Sequence, residues 1–246
     1  MSAQLSLNLR IKDGSSFSNF LAGANGEVLE RLRSAVVAAA QPQKNSPPMI
    51  FLWGAQGLGK SHLLQAACRL AQELGIAPLY LPLRDVMKLS PVLLESGEQA
   101  ALVCLDDVEQ IAGHAEWERA LFSLVERQRT VGGLLIAAGA MPPTRLGLRL
   151  ADLASRLTVG TVYALQPLND AEKLAAIRLR AHNRGFEMAE DVARYILSRY
   201  PRDMPSLFDL LDRIDRVSLA HQRRVTIPFL RELEEMSNVG VDSNLQ

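Results

Sequence analysis

"GAQGLGKS", Gly54-Ala55-Gln56-Gly57-Leu58-Gly59-Lys60-Ser61, fits G-x-x-x-x-G-K-[ST], and its surroundings decide the fold class of the chain. "MIFLW" (49–53) runs into it, a continuous apolar stretch of the kind seen in parallel strands buried on both faces. "HLLQAACRLAQELG" (62–75) leaves it as a helix closed by Gly75. Strand, glycine loop and helix in that order make a phosphate cradle. Glycines let the backbone N–H groups from Gly54 to Ser61, those of Gln56 and Leu58 included, curl around an anion, and the helix N-terminus adds its positive end. Lys60 would neutralise β- and γ-phosphates, the Ser61 hydroxyl would hold magnesium, and His62, packed in the helix just after them, is counted with the nucleotide-binding residues.

Magnesium in such a site needs a carboxylate from a neighbouring strand, and "ALVCLDD" (101–107) supplies one. Asp106 is placed for the metal, and Asp107 for orienting or activating an attacking water. Around these strands the pattern alternates: "PLYLPL" (78–83), a mixed helical stretch from Val86 to Leu94, the helix "AEWERALFSLVERQRT" (115–130), then the strands "LLIAA" (134–138) and "TVYAL" (161–165). Alternation of this kind predicts an α/β fold with a parallel sheet flanked by helices. From Pro167 onward four segments all have helical spacing, the first opened by Asn169 and Glu172 in a capping-box arrangement. The expected organisation is a flexible peptide over 1–12, an α/β core over 13–166, a small helical domain over 167–237 and a disordered tail over 238–246.

With 27 basic and 27 acidic residues the chain carries no global field that would hold nucleic acid directly. Two cysteines, Cys68 and Cys104, lie in apolar segments and make neither a disulfide framework nor a zinc spacing. The four histidines are scattered, and Trp53 and Trp117 have the setting of core aromatics. No apolar run approaches a membrane span and no leader pattern opens the chain, so a cytoplasmic protein without membrane contact is expected.

Four stretches carry a family resemblance. "SFSNFLAGANGEVLERL" (16–32), "GLGKSHLLQA" (57–66), "LVCLDDVEQIAG" (102–113) and "LADLASRLTVG" (150–160) together resemble P-loop ATPases of the AAA+ superfamily, and within it the DnaA initiator branch. The resemblance covers about residues 15–236 and implies an AAA+ core with a helical lid. Initiators of that branch continue into a DNA-binding helix-turn-helix domain, whereas this sequence ends about ten residues after the last lid helix. A short module of this kind that opens on Q-L-x-L-x-L resembles the Hda family, regulatory inactivators of the initiator. In that family the N-terminal peptide, here Gln4, Leu5, Leu7 and Leu9, docks on the sliding clamp, the β subunit of DNA polymerase III. An arginine finger, here Arg156, is pressed onto ATP bound by DnaA, and over-initiation of replication is prevented. ADP or ATP with magnesium is then the implied cofactor, DNA is met only through the clamp, and self-association is left open. As an isolated residue, Arg156 has a plainer reading, a surface ion pair with Asp152 four residues earlier.

Two departures bear on the chain's own chemistry. Ala137, Ala138, Gly139 and Ala140 stand where the family's ATPases place a polar water-orienting side chain, and Pro205 stands where the lid's sensor arginine would align, leaving Arg202 three residues away as a substitute. The expectation is tight nucleotide binding with poor hydrolysis. Two other readings compete: a DnaC-like helicase-loading or DNA-remodelling ATPase, and a metabolic kinase, for which no cluster of arginines marks a second substrate pocket.

Overall fold

A computed structural model describes residues 14–41, 49–97, 99–221 and 223–242, side chains at 221 and from 236 onward apart. The expected peptide of Gln4, Leu5, Leu7 and Leu9 lies outside the described residues, as does 243–246. The chain divides into two units, Met1–Pro167 and Leu168–Gln246.

The first unit is built on five parallel strands in the order β2-β3-β4-β1-β5: β1 (Met49–Trp53), β2 (Pro78–Pro82), β3 (Leu102–Asp106), β4 (Leu134–Gly139) and β5 (Thr161–Ala164). Side chains alternate across a strand, so each of the three central strands feeds two cores. Ile50, Leu52, Leu102, Cys104, Ile136 and Ala138 face α1 (Gly26–Ala39) and α2 (Lys60–Glu73). Phe51, Val103, Leu105, Leu135 and Ala137 face α3 (Leu83–Val86), α4 (Ala115–Val131) and α5 (Ala151–Val159). This explains why β1, β3 and β4 are buried nearly throughout, and apolar up to Asp106 at the end of β3, while the edge strands are only partly buried. β2 lies at one edge, with a proline at each end.

The order matters at the C-terminal ends of the strands. β4 separates β1 from β3, so two strand spacings, about 10 Å, lie between the end of β1 and the end of β3. Ala138 pairs with Leu52 and Gly139 with Trp53, so β4 ends in small residues between the two strands, with Phe51, Leu146 and Glu109 packed about Gly139. Sheets of this kind bind ligands at the carboxyl ends of their strands, where the strand order reverses.

The second unit is a helical bundle of α6 (Asp170–Asn183), α7 (Glu190–Arg199), α8 (Met204–His221) and α9 (Ile227–Asp242) around Ile177, Ile196, Leu207, Leu211, Ile214 and Leu230. The expected capping box is formed: Asn169 Oδ1 accepts from the Glu172 N–H at 2.9 Å, and Glu172 Oε2 accepts from the Asn169 N–H at 2.7 Å. Pro205 is the second residue of α8, where a missing N–H costs no intrahelical bond. Arg180 and Arg184 of α6 reach Asp212 of α8, Arg184 also reaches Asp215, and Arg180 lies 4.3 Å over the Phe208 ring. α9 continues to Asp242, beyond residue 237 where a disordered tail was expected to begin; no proline interrupts the chain after Pro228.

Candidate phosphate site

The glycine loop joins β1 to α2, as the spacing predicts, and its geometry needs glycine. Gly59 has φ +89°, and a Cβ there would stand 2.6 Å from Cε2 of Phe20; Gly54 has φ +153°, and a Cβ there would stand 2.8 Å from Leu58 Cδ1. Lys60 is buried and donates from Nζ to the carbonyls of Gly54 (2.6 Å) and Ala55 (2.9 Å). Burial lowers its ammonium pKa, an effect opposed by the nearby charges of Glu109, Asp106 and Asp107.

Asp106 and Asp107 close β3 at the same edge of the sheet, but they are turned to different tasks. Asp106 is 2% exposed; its Oδ2 accepts from the Tyr80 hydroxyl at 2.9 Å and its Oδ1 from the Asp107 N–H at 3.0 Å. Asp107 is in the left-handed region at φ 56°, unusual for a residue with a side chain, and Oδ2 meets Arg84 Nε at 3.1 Å. Burial raises the Asp107 carboxyl above the usual range, with Asp106 adding to the rise, Arg84 opposing it and Glu109 adding a further part. Among the described residues no three His, Cys, Asp or Glu side chains gather as a metal cage. The donors at hand, one carboxylate at Asp106 and a hydroxyl at Ser61, are hard oxygens. They fit magnesium, which keeps its remaining positions for phosphate and water.

The apolar end of β4 is not left without a polar group. Glu109, on the turn after β3, sends Oε2 to the Ala140 N–H at 3.0 Å, close to Gly139. Residues 137–140 are themselves apolar, as the sequence has them. The carboxylate comes from another element, 31 residues away, and its position in "DDVEQ" was the only available signal.

His62 turns away from a phosphate role: Nε2–H donates to the Ser16 carbonyl at 2.9 Å, and the ring centroid lies 5.5 Å from that of Phe20. Within the lid, Arg202 Nε donates to the Leu197 carbonyl at 3.1 Å and Nη1 to Asp170 Oδ2 at 3.0 Å, so it ties the end of α7 to the start of α6. Arg156 is not brought to the phosphate loop. It lines a hollow with Met49, Val125, Arg129, Leu135 and Val159, at the start of β1 and β4, whereas the loop leaves the far end of β1, about 13 Å along the strand. Its partner is Glu126 of α4, with Nε 2.6 Å from Oε1, in place of the Asp152 pairing that a four-residue spacing suggests. Two contacts from α4 thus fix α5. Besides Glu126, the buried carboxylate of Glu118 accepts from the N–H groups of Gly113 (2.7 Å), Arg149 (3.1 Å) and Leu150 (2.7 Å) just ahead of α5.

Residues 11–77 match the family model described as the bacterial DnaA ATPase domain, and residues 170–233 match the one described as the Hda lid domain. The chain is an Hda-like, DnaA-related AAA+ protein. Solved structures agree on the fold of this Hda-like chain. Domain III of the Thermotoga maritima initiator DnaA superposes with a TM-score of 0.73 at 20% identity, over 89% of this chain and 95% of that one. AMPPCP-bound DnaA from Aquifex aeolicus gives 0.68 at 22% identity over 80% of this chain, which spans 64% of that protein's length. RuvB from Thermotoga maritima gives 0.67 at 17% identity, over 92% of this chain and 73% of that one. None of the helices among the described residues is long and apolar enough to cross a membrane.

Proposed function

We propose that this protein is a nucleotide-bound adaptor that docks on the replicative sliding clamp and stimulates hydrolysis of ATP held by the DnaA initiator, thereby limiting initiation. The observation that carries the reading is the pairing, on one chain, of a DnaA-type ATPase match at residues 11–77 with an Hda-type lid match at 170–233. The loop from Gly54 to Ser61 holds the phosphates of ADP or ATP, a reading supported by a DnaA of the same fold being AMPPCP-bound. Ser61 and Asp106 hold magnesium, which when bound neutralises phosphate charge. Arg156 acts in trans: it lies at the far end of the strands from its own phosphate loop, and its guanidinium exchanges Glu126 for a neighbour's γ-phosphate, where such a finger contributes about 10³ to 10⁵ in rate. Asp107 orients water at the chain's own site, but Arg84 competes for that carboxylate, in keeping with slow turnover and a nucleotide that serves as a clasp.

Docking falls to Gln4, Leu5, Leu7 and Leu9. The amide of Gln4 both donates and accepts, and three leucines fill an apolar groove in an extended-peptide mode. Their burial gives about 5–9 kcal/mol, ordering a flexible tail takes back several, and the binding is therefore about micromolar or weaker and made effective by tethering. The test is a pull-down on sliding clamp with and without residues 1–10, and the same two proteins in an initiator ATP-hydrolysis assay. Clamp binding and stimulation lost together support the adaptor. Salt-dependent binding to plain single-stranded DNA, with fast hydrolysis by this protein alone, supports a helicase-loading ATPase instead.

A further inference from the structure

A line of polar side chains, three buried and one, Tyr80, half-buried, runs from the segment that leads into the domain to the carboxylate at the end of β3. Ser15 Oγ donates to Gln65 Oε1 at 2.9 Å, Gln65 Nε2 donates to the Tyr80 hydroxyl at 3.4 Å, and that hydroxyl donates to Asp106 Oδ2 at 2.9 Å. Ser15 is 8% exposed, Gln65 7% and Asp106 2%. Four elements contribute one member each: the lead-in segment, α2, β2 and β3. Every donor points the same way, toward the carboxylate, and chains of aligned hydrogen bonds polarise one another. Gln65 is the member that makes a continuous line workable, because an amide accepts at one end and donates at the other.

We infer that Tyr80, Gln65 and Ser15 form a positioning relay that aims Asp106 at the metal and makes the metal-dependent part of nucleotide binding sensitive to how residues 14–20 are seated. The inference rests on the nucleotide and magnesium reading above. Tyr80 occupies one oxygen from the β2 side and the Asp107 N–H occupies the other, so the carboxylate plane is fixed while lone pairs remain for a cation. The far end is held as firmly. The Ser16 carbonyl accepts from His62 in the first turn of α2, and the Phe20 ring lies against Gly59 of the phosphate loop. A pull on the chain ahead of Ser15 therefore acts on both halves of the site, the loop through Phe20 and His62 and the carboxylate through Gln65 and Tyr80. Those preceding residues include the ones proposed to engage the clamp.

The experiment is a titration of the full chain with a fluorescent adenine nucleotide, in millimolar magnesium and again in EDTA. The wild type is expected to bind more tightly with magnesium. Tyr80→Phe keeps the ring and removes the hydroxyl; it should lose about tenfold of that tightening, the scale of effect when a ligand's hydrogen-bonding partner is removed, with binding in EDTA unchanged. Gln65→Glu, the same shape without the amide donor, should reproduce the loss, and Ser15→Ala should show a smaller loss of about two- to threefold in the same arm. An unchanged magnesium effect in Tyr80→Phe overturns the relay, and so does equal weakening in both arms, which would mark a role in folding. If Tyr80→Phe responds and Ser15→Ala does not, the connection to the lead-in segment is wrong. A wild type that gains nothing from magnesium removes the metal reading itself, and the relay falls with it.

Discussion

Replacing Glu118 with alanine removes the acceptor of three backbone N–H groups at once, those of Gly113, Arg149 and Leu150. Each donor left unpaired in the interior costs about 1–3 kcal/mol, and water entering the vacated space recovers part of that, so the core should lose about 3–5 kcal/mol. For a unit of this size that is a fall in melting temperature of about 10–15 °C. Glu118→Gln should be intermediate. Its oxygen can still serve Gly113 and Arg149, which share Oε1 in the wild type, while its NH2 is forced against the Leu150 N–H. The assay is urea unfolding followed by tryptophan fluorescence. Both tryptophans, Trp53 and Trp117, belong to the first unit, so the midpoint reports on the core and not on the lid. The pH dependence has a definite sign. Burial alone would raise the Glu118 carboxyl, but the three N–H donors together hold it below its ordinary value of 4.5. A depressed folded pKa contributes stability that is complete above the unfolded value and is lost as pH falls through the folded one. The gap between wild type and Glu118→Ala should be full at about pH 7 and shrink in acid below the ordinary glutamate range. A gap under about 1 kcal/mol at neutral pH, or one that fails to shrink, would refute the clasp.

Gly59→Ala should weaken nucleotide binding and cost about 1–3 kcal/mol of core stability, since φ +89° disfavours a side chain and the new methyl strikes Phe20; calorimetric titration and a melting curve read the two effects. Arg84→Ala should raise the chain's own slow hydrolysis by releasing Asp107, but by no more than about fivefold, because Arg84 is largely exposed and such a pair contributes at most about 1 kcal/mol. A lower rate would mean that Arg84 helps the reaction. Arg156→Ala should abolish stimulation of the initiator's ATP hydrolysis by about 10³ or more while leaving nucleotide binding to this chain intact. Arg156→Lys should not rescue it, since an ammonium lacks the planar fork.

The sheet, the phosphate loop and the lid's first cap were legible in the sequence because each is written in neighbouring residues. An apolar run ends in glycines, Lys60 and Ser61 follow at fixed spacing, and Asn169 and Glu172 stand three apart. What escaped notice was made by distance. Glu109 serves Ala140 across 31 residues, Ser15 meets Gln65 across 50, and Arg156 chooses Glu126 over the nearer Asp152. No periodicity encodes such contacts; they exist only once β3, β4 and α4 have been laid side by side. The same limit applied to His62, whose place after Ser61 suggested the nucleotide until folding brought the Ser16 carbonyl within 2.9 Å.

The prolines that bracket β2 carry one more consequence. β2 is an edge, and an edge normally offers a row of free N–H groups to any passing strand. Pro78 and Pro82 have none to offer, so that side of the sheet is poor at templating growth. At the β2 edge, copies or partners are steered to side-chain contacts and away from strand-to-strand addition, which is the route by which open sheets aggregate.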